Sequence, residues 1–386
     1  MQNSFTGMFR PYLASKLTSE VREMYAMVAI LDFAISAVMI FEPIYLYSLG
    51  YSLRQILFFW LAVYVLYFFT VPVGAHIAQQ RGFEHTMFYG SVFLVLYYLC
   101  LFGAGQYPCL LFLAVPALVV QKFLFWPAYH ANFAHHSVQD EQGREISNLM
   151  VLDSLVYILG PLMGGLIIKM AGFKVLFVVV SFLIILSNIP TLMTPEKFIP
   201  RKFPYLDTYK AMFKPANRRQ LIACLGYGEE LIALIIWPVF IVIIFKDYLS
   251  VGSLAALSTL VATLLVFYVG RATDKKDKYS VLRLSTMFCS ASWLLRIAVN
   301  TSIGVFLVDA LSRISKASLS IPLVSVIYER SRQGSVMHGV VFYEASLVLG
   351  KIMVAVLAIA LISIFDGGFS MIFCLAAVMA LLYSLL

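Results

Sequence analysis

Apolar stretches of about 18 to 28 residues follow one another from residue 24 to residue 386 with little between them, which leaves few folds open. Rising 1.5 Å per residue, each is long enough to cross a hydrocarbon core of about 30 Å as a helix. Lipid offers a peptide group no hydrogen-bond partner, so a crossing segment must satisfy its own backbone. Hydrophobic residues make up 61 % of the chain, charged residues 12 %, and the mean hydropathy is +0.89, which excludes soluble domains. The expectation is an all-α polytopic membrane protein with twelve spans, at about 24–49, 55–78, 86–105, 109–136, 146–170, 173–193, 218–246, 250–273, 280–300, 303–328, 335–364 and 368–386.

A net charge of +8 raises the question of nucleic acid, and the placing of the cations answers it. With alternate loops assigned to one side, about 19 Lys and Arg fall on the side of the N-terminus and about four opposite. Those four are Arg54, Lys169, Lys174 and Lys246. The excess is therefore a topology signal. It predicts a plasma (inner) membrane protein with both termini cytoplasmic and no nucleic-acid partner.

The long break after the sixth span is rich in proline and basic residues, and it divides six spans from six. The expected organisation is an N-terminal bundle at 1–193, a cytoplasmic linker at 194–217 and a C-terminal bundle at 218–386. Within the linker, Tyr205 to Phe213 reads either as a short amphipathic helix on the membrane surface or as part of a solvated cytoplasmic linker, and both can hold. The opposite loops, such as Gly50-Tyr51-Ser52, are too short for an external binding domain, so a ligand site must lie among the helices.

Ionisable residues nevertheless sit inside the spans: Asp32, Lys122, Asp153, Glu229, Glu230, Arg296, Asp309, Arg313, Lys316, Glu344 and Lys351. Facing lipid, they would cost about 3 kcal/mol each, or about 30 kcal/mol together, more than the ~5–15 kcal/mol net stability of a domain. They must face one another or water. Asp309, Arg313 and Lys316 lie at i, i+4 and i+7, on one helical face. That stripe reads as an ion-pair ladder, an anion-binding surface or a proton-responsive switch. In the fourth span Lys122, Trp126 and Tyr129 share a face with His130 at its border, which suits an amphipathic or aromatic ligand. In the seventh span, Glu229 and Glu230 follow a glycine-loosened turn, and at most one is expected to face the cavity squarely. These two acids, Asp32 and Asp309 are the candidate proton or cation carriers. Glu42, followed by Pro43, is a candidate for an external gate.

Glycine patterns mark moving and packing parts. Gly160-Pro161 with Gly164-Gly165 predicts a hinge at which helices approach closely. Gly270-Arg271-Ala272-Thr273-Asp274-Lys275 closes the eighth span, and a weaker echo from Gly74 through Arg81 and Gly82 closes the second, about half a chain earlier. No metal spacing, nucleophile motif or phosphate loop stands out, so neither an enzyme nor a cofactor is expected.

Six plus six spans, the basic central break and the loop with Gly270, Asp274 and Lys275 in register resemble the major facilitator superfamily across essentially the whole chain. The first-half echo departs from that pattern, with Ala75, Gln79 and Gln80 at the glycine, acid and base places. The resemblance implies two pseudo-symmetric six-helix bundles and a cavity lined by the first, fourth, seventh and tenth helices. Asp32, Lys122, Glu229, Glu230, Asp309, Arg313 and Lys316 lie on those four, more than an even spread would put there. It also implies that the Gly270 to Lys275 loop is a conformational element, and Gly160-Pro161 with Gly164-Gly165 resembles a fifth-helix motif associated with export. The implied activity is alternating-access transport of a small solute by a functional monomer, driven by protons or sodium, with efflux of an amphipathic compound favoured. Uptake of a polar metabolite and a non-transporting sensor or assembly protein are the alternatives.

Overall fold

The computed structural model describes residues 19–136, 142–193, 200–273, 278–332, 336–365 and 368–386, and these are almost entirely helical. The helices are α1 (Ser19–Met39), α2 (Phe41–Ser48), α3 (Leu53–Arg81), α4 (Phe83–Ala104), α5 (Leu110–His136) and α6 (Gln142–Ser187) before the linker. The short α7 (Asp207–Met212) lies in the linker. After it come α8 (Arg218–Leu225), α9 (Gly228–Leu231), α10 (Trp237–Phe245), α11 (Tyr248–Thr273), α12 (Lys278–Leu295), α13 (Ser302–Arg332), α14 (Val336–Ile364) and α15 (Phe369–Leu381).

Local chemistry sets where these helices start, break and turn. Ser52 and Gln55 form a capping box at the start of α3. The predicted seventh span is three helices, because Gly226-Tyr227-Gly228 interrupts α8 from α9 and a π turn at Ile232–Ile236 precedes Pro238, which has no N–H to continue an ordinary ladder. Asp247 opens α11 by accepting from the Ser250 amide at 2.9 Å and its hydroxyl at 2.7 Å. Those two hydrogen bonds, with Lys169 at 3.6 Å, hold the Asp247 carboxyl below its usual range.

Among the described residues, nine helical stretches are long and apolar enough to cross a membrane, against the twelve spans expected. The difference has three causes. Val151–Ser187 counts as one stretch, yet Gly172 inside it has φ 81° and divides it into two helices, at the boundary expected between the fifth and sixth spans. The Phe369–Leu385 segment is apolar but shorter, and α13, which carries Asp309, Arg313 and Lys316, is not among the nine. The outward faces are apolar, with Phe112 85 % and Ile303 73 % exposed, as contact with lipid tails requires.

Gly74 and Arg81 both lie inside α3, and Gly82, with φ 94°, makes the turn into α4. Gly74 is buried against the backbone of α5, where an added Cβ would overlap the Phe123 carbonyl. The linker helix is also docked on protein. Pro72 has no N–H for the Phe68 carbonyl, and the Tyr209 hydroxyl donates to that oxygen at 2.9 Å, while Tyr205 donates to the Phe69 carbonyl at 2.7 Å. Met212 packs on Phe342 and Ala345 of α14, so α7 bridges helices from before and after the linker.

The proline–glycine element of α6 packs on both sides. Gly160 and Gly164 face the backbone of α1 at Ser36 and Ala37, and Gly165 faces Tyr248 and Leu249 of α11. Gly252 returns the contact by approaching the Pro161 carbonyl. α3 packs along α14, and α2 packs on α10 at the face opposite the linker. Of the second-half loop, Gly270 and Arg271 belong to α11, and Asp274 and Lys275 lie outside the described residues.

Candidate functional site

Buried charges demand partners, and the interior of α8 to α15 is arranged around that demand. Asp309 accepts from Arg313 Nε at 2.8 Å, as their i, i+4 spacing allows, and from the Trp237 indole N–H at 2.8 Å. Lys316, one turn further along α13, turns away from that pair. It binds Glu229, lies 3.1 Å from Glu230, and donates to the Tyr383 hydroxyl at 2.6 Å. Tyr383 in turn donates to Glu229 at 3.3 Å, and the Trp293 indole donates to the other Glu229 oxygen at 3.0 Å. Glu230 continues to Lys351 of α14 at 3.2 Å. The predicted stripe is thus two adjoining ion-pair clusters, and both acids of the seventh span are engaged rather than one.

Arg296 completes this interior. Its guanidinium is sandwiched between the rings of Trp293, 3.6 Å away, and Trp237, 4.3 Å away, and the residue is 2 % exposed. Its Nε and Nη1 meet no acceptor among the described residues. The two indoles that hold its faces give their own N–H groups to Asp309 and Glu229, which disposes opposite charges around the same rings.

The helices before the linker carry fewer charges, each placed differently. Glu42 is buried and accepts from both Tyr97 at 2.9 Å and Tyr98 at 2.8 Å, so it is locked within the bundle instead of lying free at an entrance. Asp32 of α1 and Asp153 of α6 bring their carboxyls within hydrogen-bonding reach of each other. In α5, Trp126 stacks on His130 and Tyr129 meets both edge-on, with centroids 5.3 to 6.0 Å apart. Lys122 lies 5.8 Å over the Tyr64 ring of α3.

Contacts at Tyr64, Tyr67 and His130 also join helices on opposite sides of the linker. Tyr67 of α3 donates to Glu344 of α14 at 2.9 Å, and His130 Nε2 lies 3.4 Å from the other oxygen of Glu344. Lys351 lies over the Tyr64 ring at 5.6 Å. Glu344 and Lys351 sit on the eleventh predicted span and Arg296 at the end of the ninth, outside the four helices that the resemblance singles out. The aromatic donors Tyr67, Trp237, Trp293 and Tyr383 have no sequence mark distinguishing them from the many other aromatics. A cleft of about 640 Å³ opens among Tyr47, Ser52, Leu53, Arg54, Gln55 and Ile362, but Arg54 is its single charged lining residue.

Long apolar helices around an interior of paired charges and aromatic donors define a polytopic membrane protein whose polar chemistry is held away from lipid. The family model for the Major Facilitator Superfamily matches residues 24–226, more than half of the 386 residues, and the chain belongs to that superfamily. None of the curated proteins matches the chain. Membership makes it a multi-pass membrane transporter of a small molecule, and members of this superfamily are in general not enzymes.

Proposed function

We propose that the protein is a secondary active transporter of the plasma (inner) membrane that moves its solute by alternating access. In this reading residues 1–193 and 218–386 are two bundles that rock about a midplane site, with both termini in the cytoplasm. The observation that carries it is the polar seam from Tyr67 and His130 to Glu344. Rocking breaks such contacts on one side of the solute and remakes them after release. The Gly160 to Gly165 packing against α1 and α11 supplies an interface of small residues on which the bundles can slide.

Protons are the favoured driving ion. Of the four candidate carriers, Glu229, Glu230 and Asp309 are matched to Lys316, Lys351 and Arg313. Asp32 instead faces another acid, and two carboxyls in contact are suited to sharing one proton. Export of an amphipathic compound is favoured by the aromatic stack beside Lys122 and by the fifth-helix motif. In proteoliposomes, an imposed pH gradient is expected to drive flux, and D32N to lower gradient-driven flux about 100-fold, in the range usual for loss of a proton-transfer group. Flux indifferent to the pH gradient but dependent on sodium removes the proton assignment.

A further inference from the structure

We propose that the surroundings of Tyr64 bind the carboxylate of a small aromatic monocarboxylate, with Lys122 as its counter-ion and Trp60 as a second donor. The proposal rests on the transporter reading and names a substrate class for it. Charge matching leads there. Arg313 has Asp309, Lys316 has Glu229 and Glu230, and Lys351 has Glu230. Glu42 takes two tyrosine hydroxyls and Glu344 takes Tyr67, while Asp32 and Asp153 face each other. Arg296 is enclosed between two indoles and out of reach of a solute.

Lys122 is different. It lies over the Tyr64 ring, it has no hydrogen bond or ion pair among the described residues, with Glu42 and Glu344 acting on it only at longer range, and it is only partly buried. An ammonium inside a bundle with no anion in contact is costly, and an anionic solute is the partner that removes the cost. A second observation points the same way. The Trp60 indole, stacked on Tyr64 with centroids 6.0 Å apart, has a buried N–H that meets no acceptor among the described residues. Two unmet donors on one aromatic surface ask for an acceptor-rich ligand.

The site also lies where a rocking mechanism needs it. At 1.5 Å per residue, Tyr64, Lys122 and Lys351 fall about 17 to 23 Å from the starts of α3, α5 and α14, near mid-bilayer. Lys351 comes from beyond the linker and lies over the same ring as Lys122, so both sides of the molecule present a cation to it. A single cation without a contacting acid, here Lys122, selects a monoanion, and the rings of Trp60, Tyr64, Trp126 and Tyr129 select an aromatic body.

The test uses three matched probes, benzoate, benzylamine and benzyl alcohol, added in millimolar amounts to the purified full chain, with thermal unfolding and tryptophan fluorescence as readouts. Benzoate is expected to stabilise and the other two not. K122Q is expected to weaken benzoate binding about tenfold or more without lowering the unliganded midpoint, and K122R to retain most of it. The assignment is overturned if benzoate has no effect, if benzylamine or benzyl alcohol acts equally, if K122Q binds benzoate like the parent, or if K122Q alone unfolds earlier. Flux of benzylamine into proteoliposomes would remove the anion and leave transport standing. Benzoate binding without flux of any probe would keep the site and count against transport.

Discussion

Replacing Lys316 by methionine is expected to lower the stability of the detergent-solubilised protein by about 3–5 kcal/mol, the usual cost of removing one partner from a buried ion pair. Lys316 touches Glu229, Glu230 and the Tyr383 hydroxyl at once, so K316M leaves Glu229 with neutral donors alone, while Glu230 keeps Lys351. The penalty is mostly that of an uncompensated carboxylate rather than of lost attraction. Adding E229Q to K316M should therefore recover a good part of the loss, because the amide no longer demands a cation. Thermal unfolding of the two single variants and the double variant reads this directly. A double variant whose loss equals the sum of the single losses would show that Lys316 and Glu229 act independently.

Gly164→Val is expected to be the most damaging change at the packing interface. A Cβ at this position overlaps the Ala37 carbonyl and the Phe41 ring, and a backbone oxygen cannot swing aside as the end of a flexible side chain can. Overpacking costs about 1–3 kcal/mol where side chains can yield, so a loss at or above about 3 kcal/mol is expected where α1 itself must move. G368A is the matched control, since its nearest neighbour is 3.5 Å from the new methyl and its cost should be within about 0.5 kcal/mol. Equal unfolding midpoints for G164V and G368A would mean that α6 and α1 are not closely apposed.

Much of the helical scaffold is legible in the chain because its determinants are local. Apolar runs bounded by Gly82, by Ser52 with Gln55 and by the 226–228 glycine turn become helices ending within a few residues of those marks. The pairing of Arg313 with Asp309 is legible for the same reason, being four residues along one helix. The rest of the site is not local. Lys316 meets Glu229 across 87 positions and Tyr67 meets Glu344 across 277, and no periodicity within a helix reports which distant acid a base will find. Glu344, Lys351 and Arg296 were visible as charges, but their role in joining the clusters depends on helix packing. The linker shows the same limit. Its amphipathic pattern reports an apolar face but not that Phe342, Ala345 and Phe68 pack on it, nor that Pro72 leaves a carbonyl that Tyr209 can reach.

Alternating access is tested most directly at the face opposite the linker, where α2 packs on α10. Cysteines placed at facing positions of these two helices, in a background without the native cysteines, are cross-linked in proteoliposomes and flux is followed. The rocking mechanism predicts that the disulfide stops flux and that reduction restores it. Undiminished flux through the cross-linked protein would contradict it.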